Sequence, residues 1–267
     1  MTNITRDGVN IYYDIQGEGE PLVLLMGLGA HGLKWEPHLK EYRKHFKCIV
    51  IDNRGAGQSD KPEMEAYTTE MMAEDTISVL EALKIEKAHF HGISMGGAIS
   101  QMIAVKYPER VKSLVLTSTF SSVDHFFKRA LEILRDSVGL LDGATFGHLC
   151  DYMIYAAKYH ETNMEDILEG EAQEDPYPMP AYAYRAQCNA CITHNALPLL
   201  KSIKAPALVA AGDSDLFISA ETTKTLVEGI QGARLYLCKD GGHVHHWEKL
   251  DAFNRETLAF LLSNTSN

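Results

Sequence analysis

Residues 92–96 place a serine between two glycines, a combination suited to nucleophilic chemistry. The run is Gly92-Ile93-Ser94-Met95-Gly96, with an apolar strand predicted before it at 88–90 and a helix predicted after it. So tight a strand–turn–helix connection needs glycine two residues before and two after the serine, because larger side chains would collide with neighbouring backbone. We predict that Ser94 is a nucleophile near a helix N-terminus, where developing negative charge is favoured. The alternative is a helix N-cap serine beside packing glycines.

A serine hydroxyl needs a base that accepts its proton, and His243 is the best candidate among the twelve histidines. It follows a predicted strand at 234–238 and a flexible pair of glycines, so it would lie on a loop at the carboxyl end of that strand. His245 and His246 follow closely, and a His-x-His-His metal site is the alternative interpretation. No further ligands with metal-binding spacing accompany them, so we do not predict a metal site.

The base needs a carboxylate that orients it and stabilises the imidazolium. Asp215 follows a predicted strand at 206–211, on a loop at the same edge of the sheet. Asp213 is the rival in the same loop, and its alternative role is that of a turn residue that bonds its own backbone. Asp124, beyond the predicted strand at 111–117, is a third option. We favour Asp215, which gives the chain order nucleophile, acid, base.

The oxyanion of an acyl-transfer reaction needs backbone N–H donors aimed at the place where charge develops. The N–H of Met95, the residue after the predicted nucleophile, is one candidate. A second can come from the turn at 27–29, which follows a predicted strand at 22–26, and we favour the N–H of Leu28. Without the serine, this turn would be interpreted simply as the exit of a strand.

Short apolar runs alternate with helical periodicity in the first third of the chain, the pattern of a parallel sheet covered by helices. An alternating segment at 9–16 predicts part of an antiparallel hairpin. The predicted strands are 22–26, 48–52, 88–92, 111–117, 206–211 and 234–238, and the predicted helices are 69–83, 96–107, one from about 220, and 250–262. We therefore predict the α/β class, with a mostly parallel central sheet and helices on both faces.

The rhythm of strands and helices breaks between residues 121 and 200. Helical stretches rich in Met, Tyr and Phe dominate there, and a proline-rich connector at 175–180 interrupts them. We predict one core domain formed by residues 1–120 and 201–267, with residues 121–200, the helical insertion, forming a lid over the site. The apolar side chains of this insertion would either line an acyl or aromatic pocket or form the core of the lid itself.

The composition is that of a globular protein, with 45% hydrophobic and 23% charged residues. The formal net charge of −11 disfavours nucleic acid and anionic membrane surfaces as partners. Neither a secretory signal nor an apolar run of membrane-spanning length is evident, so we expect a cytoplasmic protein. The five cysteines are scattered and odd in number, which does not suggest disulfides, and we expect Cys188 and Cys191 to be helical residues without a redox role.

These segments resemble the α/β-hydrolase superfamily over nearly the whole chain. The resemblance is carried by Met26-Gly27-Leu28-Gly29 with Trp35, Asp52-Asn53-Arg54-Gly55-Ala56-Gly57-Gln58-Ser59-Asp60-Lys61-Pro62, His91-Gly92-Ile93-Ser94-Met95-Gly96-Gly97, Gly212-Asp213-Ser214-Asp215, and Gly242-His243 followed by Trp247-Glu248. In this superfamily the acid stands three residues after a glycine that closes its strand, which from Gly212 is Asp215. Many relatives carry a histidine where this chain has Met26, so we expect the turn that follows to be anchored differently.

Within the superfamily, the chain is most similar to small lid-bearing esterases and enol-lactonases, such as the 3-oxoadipate enol-lactonase group. The resemblance implies hydrolysis of a carboxylic ester or lactone of a small, apolar substrate through an acyl-enzyme on Ser94, without a metal or organic cofactor. Carbon–carbon bond cleavage, acyl transfer and perhydrolysis use the same triad in relatives, and a ligand-binding receptor on this scaffold is a further alternative. We expect a monomer or homodimer whose partner is the small-molecule substrate.

Overall fold

A single sheet organises the protein, and the computed structural model describes residues 2–265. Within these residues the strands are β1 (Asn3–Arg6), β2 (Val9–Gln16), β3 (Glu20–Leu25), β4 (Phe46–Ile51), β5 (Ala88–Ile93), β6 (Val111–Thr117), β7 (Ala207–Gly212) and β8 (Arg234–Cys238). They lie side by side in the order β1-β2-β4-β3-β5-β6-β7-β8. β1 and β2 pair in antiparallel fashion, as do β2 and β4, while the strands from β3 to β8 run parallel to one another. The predicted α/β architecture is confirmed.

The α-helices lie mostly in the connections between strands. In the described part of the chain they are α1 (Glu36–Tyr42), α2 (Thr69–Ala82), α3 (Met95–Lys106), α4 (His125–Ser137), α5 (Gly143–Ile154), α6 (Ala157–Glu171), α7 (Ala181–Thr193), α8 (Ala220–Gly229), α9 (His245–Glu248) and α10 (Leu250–Leu262). The helices predicted at 69–83, 96–107 and 250–262 are present within one residue of their predicted ends. None of the helices in residues 2–265 combines the length and apolar character needed to cross a bilayer.

The order of the strands reverses at β3, which lies between β4 and β5. Ligands of parallel sheets bind at the carboxyl ends of the strands beside such a reversal, because the connecting segments diverge there. The registers keep these ends level, since Leu25 of β3 pairs with Gly92 of β5, and Ile93 pairs with Thr117 of β6. The turns that follow β3 and β5 therefore adjoin each other, and those after β6, β7 and β8 continue along the same edge.

The apolar run of β3 is explained by burial on both faces of the sheet. Val23 and Leu25 belong to the core that also contains side chains of α2 and α3, whereas Leu22 and Leu24 pack with side chains of α1 and α10. All four are fully buried. Successive side chains of a strand point to opposite faces, so a strand that is covered on both faces must be apolar at every position.

The helical insertion leaves the sheet after β6 and returns to it at β7, and it contains α4 to α7. α4 and α7 pack against each other and each buries one side, whereas α5 has no buried residue and α6 has only Ile167. An isolated bridge pairs Ser122 with Asn195 near the two ends of the insertion. α4 and α7 thus form its inner part, and α5 and α6 its outer part.

Candidate active site

Ser94 stands on a strained turn between β5 and α3. Its φ of 53° and ψ of −115° lie outside the regions that non-glycine residues favour. A Cβ atom on Gly92 would meet Gly96 O, and one on Gly96 would meet Leu25 O, both closer than real side chains approach. The steric requirement predicted for these two glycines is therefore confirmed. The Ser94 N–H donates to Thr117 O at 2.8 Å, which fixes the turn on the neighbouring strand.

α3 begins at Met95, immediately after the serine, so its first N–H groups lie at the carboxyl edge of the sheet. The N–H groups of Gly97 and Ala98 donate to Ser94 O at 2.9 and 3.1 Å, and the start of the helix carries the positive end of its dipole. The Thr119 hydroxyl donates to Ser94 O at 2.6 Å, and a Cβ on Gly97 would lie only 2.6 Å from Thr119 Cβ. These two contacts of Thr119 fix the start of α3 against the segment that follows β6.

His243 and Asp215 form a hydrogen bond with each other. His243 Nδ1 lies 2.9 Å from Asp215 Oδ2, and the Asp215 side chain is fully buried. The other carboxylate oxygen, Oδ1, accepts from the N–H groups of Phe217 at 2.8 Å and Ile218 at 3.0 Å. The Phe217 ring also packs edge-on against the imidazole, with 5.0 Å between the ring centroids. These contacts hold one carboxylate oxygen toward the imidazole.

The three aspartates considered as the acid have different partners in the structure. Asp213 is exposed, and its carboxylate accepts from the neighbouring Ser214 hydroxyl at 3.1 Å. Asp124 is exposed and caps α4 by accepting from a backbone N–H of the first turn at 2.7 Å. Within residues 2–265, the carboxylate that bonds to the His243 ring is that of Asp215.

The turn after β3 lies against the serine. A Cβ on Gly27 would be 3.1 Å from Ser94 Cβ. The Ala30 N–H closes the turn on Gly27 O at 3.3 Å, and Gly29 has a φ of 76°, which glycine adopts without strain. The Gly29 N–H donates to a side-chain oxygen of α7. The Leu28 N–H has no acceptor among the described residues. The turn after β3 and the start of α3 therefore both adjoin Ser94.

Ser118 joins the loop of His243 to the strand beside the serine. It follows β6 with a φ of 45°, a left-handed backbone conformation that is uncommon for residues other than glycine. Its hydroxyl donates to His243 O at 2.6 Å, and its N–H donates to Ala210 O at 2.8 Å. Since Ser94 bonds to Thr117, the loops of the serine and the histidine are held at adjacent positions of one strand end. Sequence reasoning missed Ser118, because its residue type does not mark this conformation.

Glu248 fastens the same loop to the helical insertion. Its Oε2 accepts from the Gly242 N–H at 2.9 Å, and its Oε1 accepts from the Ala156 N–H at 2.8 Å. The Val244 N–H adds a third link by donating to Ile154 O, at the end of α5, at 3.2 Å. The sequence pattern marked Glu248 only by its spacing from the predicted base, and these bonds give the physical reason for that spacing.

The other two histidines of the His-x-His-His run are buried and bond inside the protein. His245 Nδ1 lies 3.2 Å from Gly242 O, and His246 Nδ1 lies 3.1 Å from Nε2 of the buried His38. Burial lowers the pKa of His38 and of His245 to about 4, and holds that of His246 well below its usual range, so all three are neutral near pH 7. In residues 2–265, no group of three or more His, Cys, Asp or Glu side chains is arranged to hold a metal ion.

The cysteine thiols of the described residues are free. Cys188 and Cys191 lie in α7, as predicted, and both are buried. Burial raises the pKa of Cys191 to about 12, and raises that of Cys188 as well. Since the thiolate is the reactive form of cysteine, neither residue is suited to redox chemistry near neutral pH.

Two surface depressions lie away from this arrangement. One, of about 530 Å³, opens beside the end of α2, and another, of about 390 Å³, opens where α4 and α7 meet residues 63–65. None of Ser94, Asp215 and His243 lines either of them. The candidate site is therefore recognised by its hydrogen bonds and backbone geometry, and not by the size of an opening.

The chain is similar to known proteins over most of its length. The sequence profile of the alpha/beta hydrolase fold matches residues 20–146. The chain is 31% identical over 260 residues to 2-hydroxy-6-oxo-6-phenylhexa-2,4-dienoate hydrolase of Comamonas testosteroni, covering 94% of this chain and 91% of the relative. The enol-lactonase from Burkholderia xenovorans LB400 superposes with a TM-score of 0.86 and 26% identity, covering 97% of this chain and 99% of that one. The N-acyl homoserine lactone degrading enzyme Est816 superposes with a TM-score of 0.83 and 30% identity, again covering 97% and 99%.

Proposed function

Because the chain belongs to the α/β-hydrolase family, we propose that it is a serine hydrolase that cleaves a carboxylic ester or lactone through an acyl-enzyme on Ser94. The observation that carries the proposal is the 2.9 Å bond between His243 Nδ1 and the buried Asp215, at the sheet edge where the strained Ser94 stands. A buried carboxylate in that position orients the imidazole and stabilises the cation that forms when the ring accepts a proton.

The proposed reaction has two displacements. Ser94 Oγ attacks the acyl carbon while His243 Nε2 accepts its proton, and the N–H groups of Leu28 and Met95 donate to the oxyanion. His243 then donates this proton to the leaving oxygen, and the acyl group remains on the serine. Water repeats the sequence, with His243 as base, to release the acid and restore the hydroxyl. Apart from the substrate and this water, the proposed steps use only groups of the protein.

The surroundings of the proposed site favour a small, apolar acyl group. The Tyr184 ring packs on Gly29, Phe146 packs edge-on against Tyr184 with 5.3 Å between centroids, and Phe217 packs against His243. The enol-lactonase and the N-acyl homoserine lactone degrading enzyme support the same class, because both are named for lactone substrates. We propose an ester or lactone of modest size, covered by the helical insertion acting as a lid.

Ser94→Ala tests the nucleophile. The variant lacks the attacking hydroxyl, so turnover of 4-nitrophenyl butyrate should fall by about 10⁴-fold or more, and labelling by a fluorophosphonate probe should disappear. Ser100→Ala is the matched control, because Ser100 lies on α3 with its hydroxyl bonded to Gly96 O at 2.8 Å, and it should keep the label. A label that persists in Ser94→Ala would show that another residue is the nucleophile.

A carbon–carbon bond hydrolase is the second candidate. The Comamonas relative favours it, because its named substrate contains keto and hydroxy groups but no ester, so hydrolysis there must break a carbon–carbon bond. Assays of the wild-type protein on small aryl esters, lactones and 1,3-diketones separate the two candidates. Cleavage of a diketone together with failure on every ester and lactone would replace the first proposal by the second.

A further inference from the structure

Gln187 of α7 connects the helical insertion to the turn that carries one proposed oxyanion donor. Its side chain is fully buried. Its Oε1 accepts from the Gly29 N–H at 3.0 Å, and its Nε2 donates to Arg54 O at 2.9 Å. Gly29 lies in the turn after β3, and Arg54 lies in the loop after β4. One amide therefore joins the insertion to two loops at the carboxyl edge of the sheet.

The bond to Gln187 acts on the central peptide of the turn. The Ala30 N–H closes the turn on Gly27 O, so the peptide between Leu28 and Gly29 is the one in the middle. Rotation of the central peptide converts one turn type into another, and this rotation changes ψ of the residue before it, here Leu28. Because Gly29 supplies the N–H of that peptide, its bond to Gln187 holds the peptide in one orientation.

Hydrogen bonds from other residues fix the two flanks of this turn, whereas Gln187 bonds to its central peptide. On one flank, Asn53 Nδ2 donates to Met26 O at 3.0 Å. On the other flank, Asp52 Oδ1 accepts from the Gly32 N–H at 2.6 Å. Both of these partners come from the core domain, whereas the bond at the centre comes from the helical insertion.

Tyr184 keeps α7 close enough to the turn for this bond to form. It precedes Gln187 by three residues, so the two side chains share one face of the helix. A Cβ on Gly29 would lie 2.8 Å from the Tyr184 ring, which shows that the ring packs directly on the glycine backbone. The position of α7 and the shape of the turn are therefore coupled.

We infer that Gln187 is a positioning residue, through which the helical insertion holds the shape and position of the turn that carries the Leu28 N–H. The inference rests on the proposed function of Ser94 as the nucleophile. Both hydrogen bonds of Gln187 go to backbone atoms. Loss of the Gln187 side chain should therefore weaken the hydrogen bond from the Leu28 N–H to the oxyanion. That bond is strongest in the transition state, so kcat should fall while KM stays nearly unchanged.

The test compares Gln187→Met and Gln187→Glu with Asn189→Ala. Met has a similar length and can form neither bond, whereas Glu keeps an acceptor for Gly29. Asn189 is the matched control, because it ties the same helix to the core elsewhere, with its Nδ2 donating to Glu65 O at 2.8 Å.

With 4-nitrophenyl butyrate, Gln187→Met should lose about 10- to 100-fold in kcat, with KM within about threefold, because deletion of a whole oxyanion donor costs about 10²- to 10³-fold. Gln187→Glu should recover most of this loss, and Asn189→Ala should match the wild type. A rise in KM at unchanged kcat, or equal losses in Gln187→Met and Asn189→Ala, would overturn the inference.

Amide hydrogen exchange supplies a readout that does not depend on turnover. The Gly29 N–H should be protected in the wild type and in Asn189→Ala, and should exchange faster in Gln187→Met. Unchanged protection of Gly29 in Gln187→Met would also overturn the inference. Turnover that survives in Ser94→Ala would instead refute the proposed function, and the two failures are therefore distinguishable.

Discussion

The glycines of the sheet edge and those of the helical insertion have different surroundings. A Cβ on Gly92, Gly96 or Gly212 would meet a backbone oxygen at a distance that real side chains do not reach. A Cβ on Gly143 or Gly147 would meet no atom within 4 Å. Close backbone approach therefore imposes glycine at the edge of the sheet, whereas no such contact imposes it at Gly143 and Gly147 of the insertion.

Burial shows the same difference between the two regions. Every residue of β5 and of β7 is buried, whereas α5 has no buried residue and α6 has only Ile167. An element that is packed on all sides tolerates few changes of volume, and a surface element tolerates many. It follows that the sheet edge constrains the chemistry of the site more tightly than the outer part of the insertion does.

A large effect is expected at the sheet edge from Asp215→Asn. The amide can present its NH₂ group to His243 Nδ1 and thereby favour the wrong tautomer of the imidazole. We expect kcat/KM for an aryl ester to fall about 10³- to 10⁴-fold, the loss typical of this change in a serine triad. Asp213→Asn is the control, because Asp213 is exposed on the same loop, and its kinetics should stay near those of the wild type. The reverse ranking would identify Asp213 as the acid.

Acid should destabilise the core through its buried histidines. Burial lowers the pKa values of His38 and His245 to about 4, against 6.5 for an ordinary histidine. As the pH falls, these histidines bind protons in the unfolded chain at a higher pH than in the folded protein. The free energy of unfolding is therefore unaffected by them above pH 6.5 and decreases as the pH falls toward 4. Each residue contributes on the order of 3 kcal/mol to the loss. Urea unfolding at a series of pH values measures it.

Two variants separate buried histidines of the core from exposed ones of the insertion. His38 Nδ1 bonds to Asn254 Oδ1 at 2.6 Å in the interior, whereas His125 is exposed on α4. The slope of the free energy of unfolding against pH reports how many more protons the unfolded chain binds than the folded protein. In His38→Gln this number should be smaller by about one, and in His125→Gln it should equal that of the wild type. An identical pH dependence in all three proteins would contradict the role given to burial.

The sheet edge could be predicted from the sequence because its constraints are local. Two glycines at fixed spacing mark the turn of Ser94, and continuous apolar runs mark the strands that precede Asp215 and His243. Parallel strands bring their carboxyl ends to one edge, so residues that follow them meet. The strands predicted at 111–117 and 234–238 have the same bounds as β6 and β8.

The contacts of the helical insertion could not be predicted in this way. Gln187 lies 158 residues from Gly29 along the chain, and a polar residue of a helix is ordinarily interpreted as facing solvent. Which polar residue turns inward depends on how α7 packs against the core, a tertiary property that no local pattern records. α1 was missed for a different reason, since a helix of seven residues is too short for its periodicity to stand out.

The smallest effect is expected in the outer part of the insertion, from Gly147→Ala. Gly147 lies inside α5 with open space at the Cβ position, so alanine should stabilise the helix by roughly 0.5–1 kcal/mol through its better helix propensity. Amide protection within α5, corrected for intrinsic exchange, should rise roughly two- to fivefold, while kcat/KM stays unchanged. Gly96→Ala is the contrasting variant, because its Cβ would collide with Leu25 O and should abolish turnover. A large loss of activity in Gly147→Ala would mean that α5 is held to the site as tightly as the sheet edge, and the contrast between the two regions would fail.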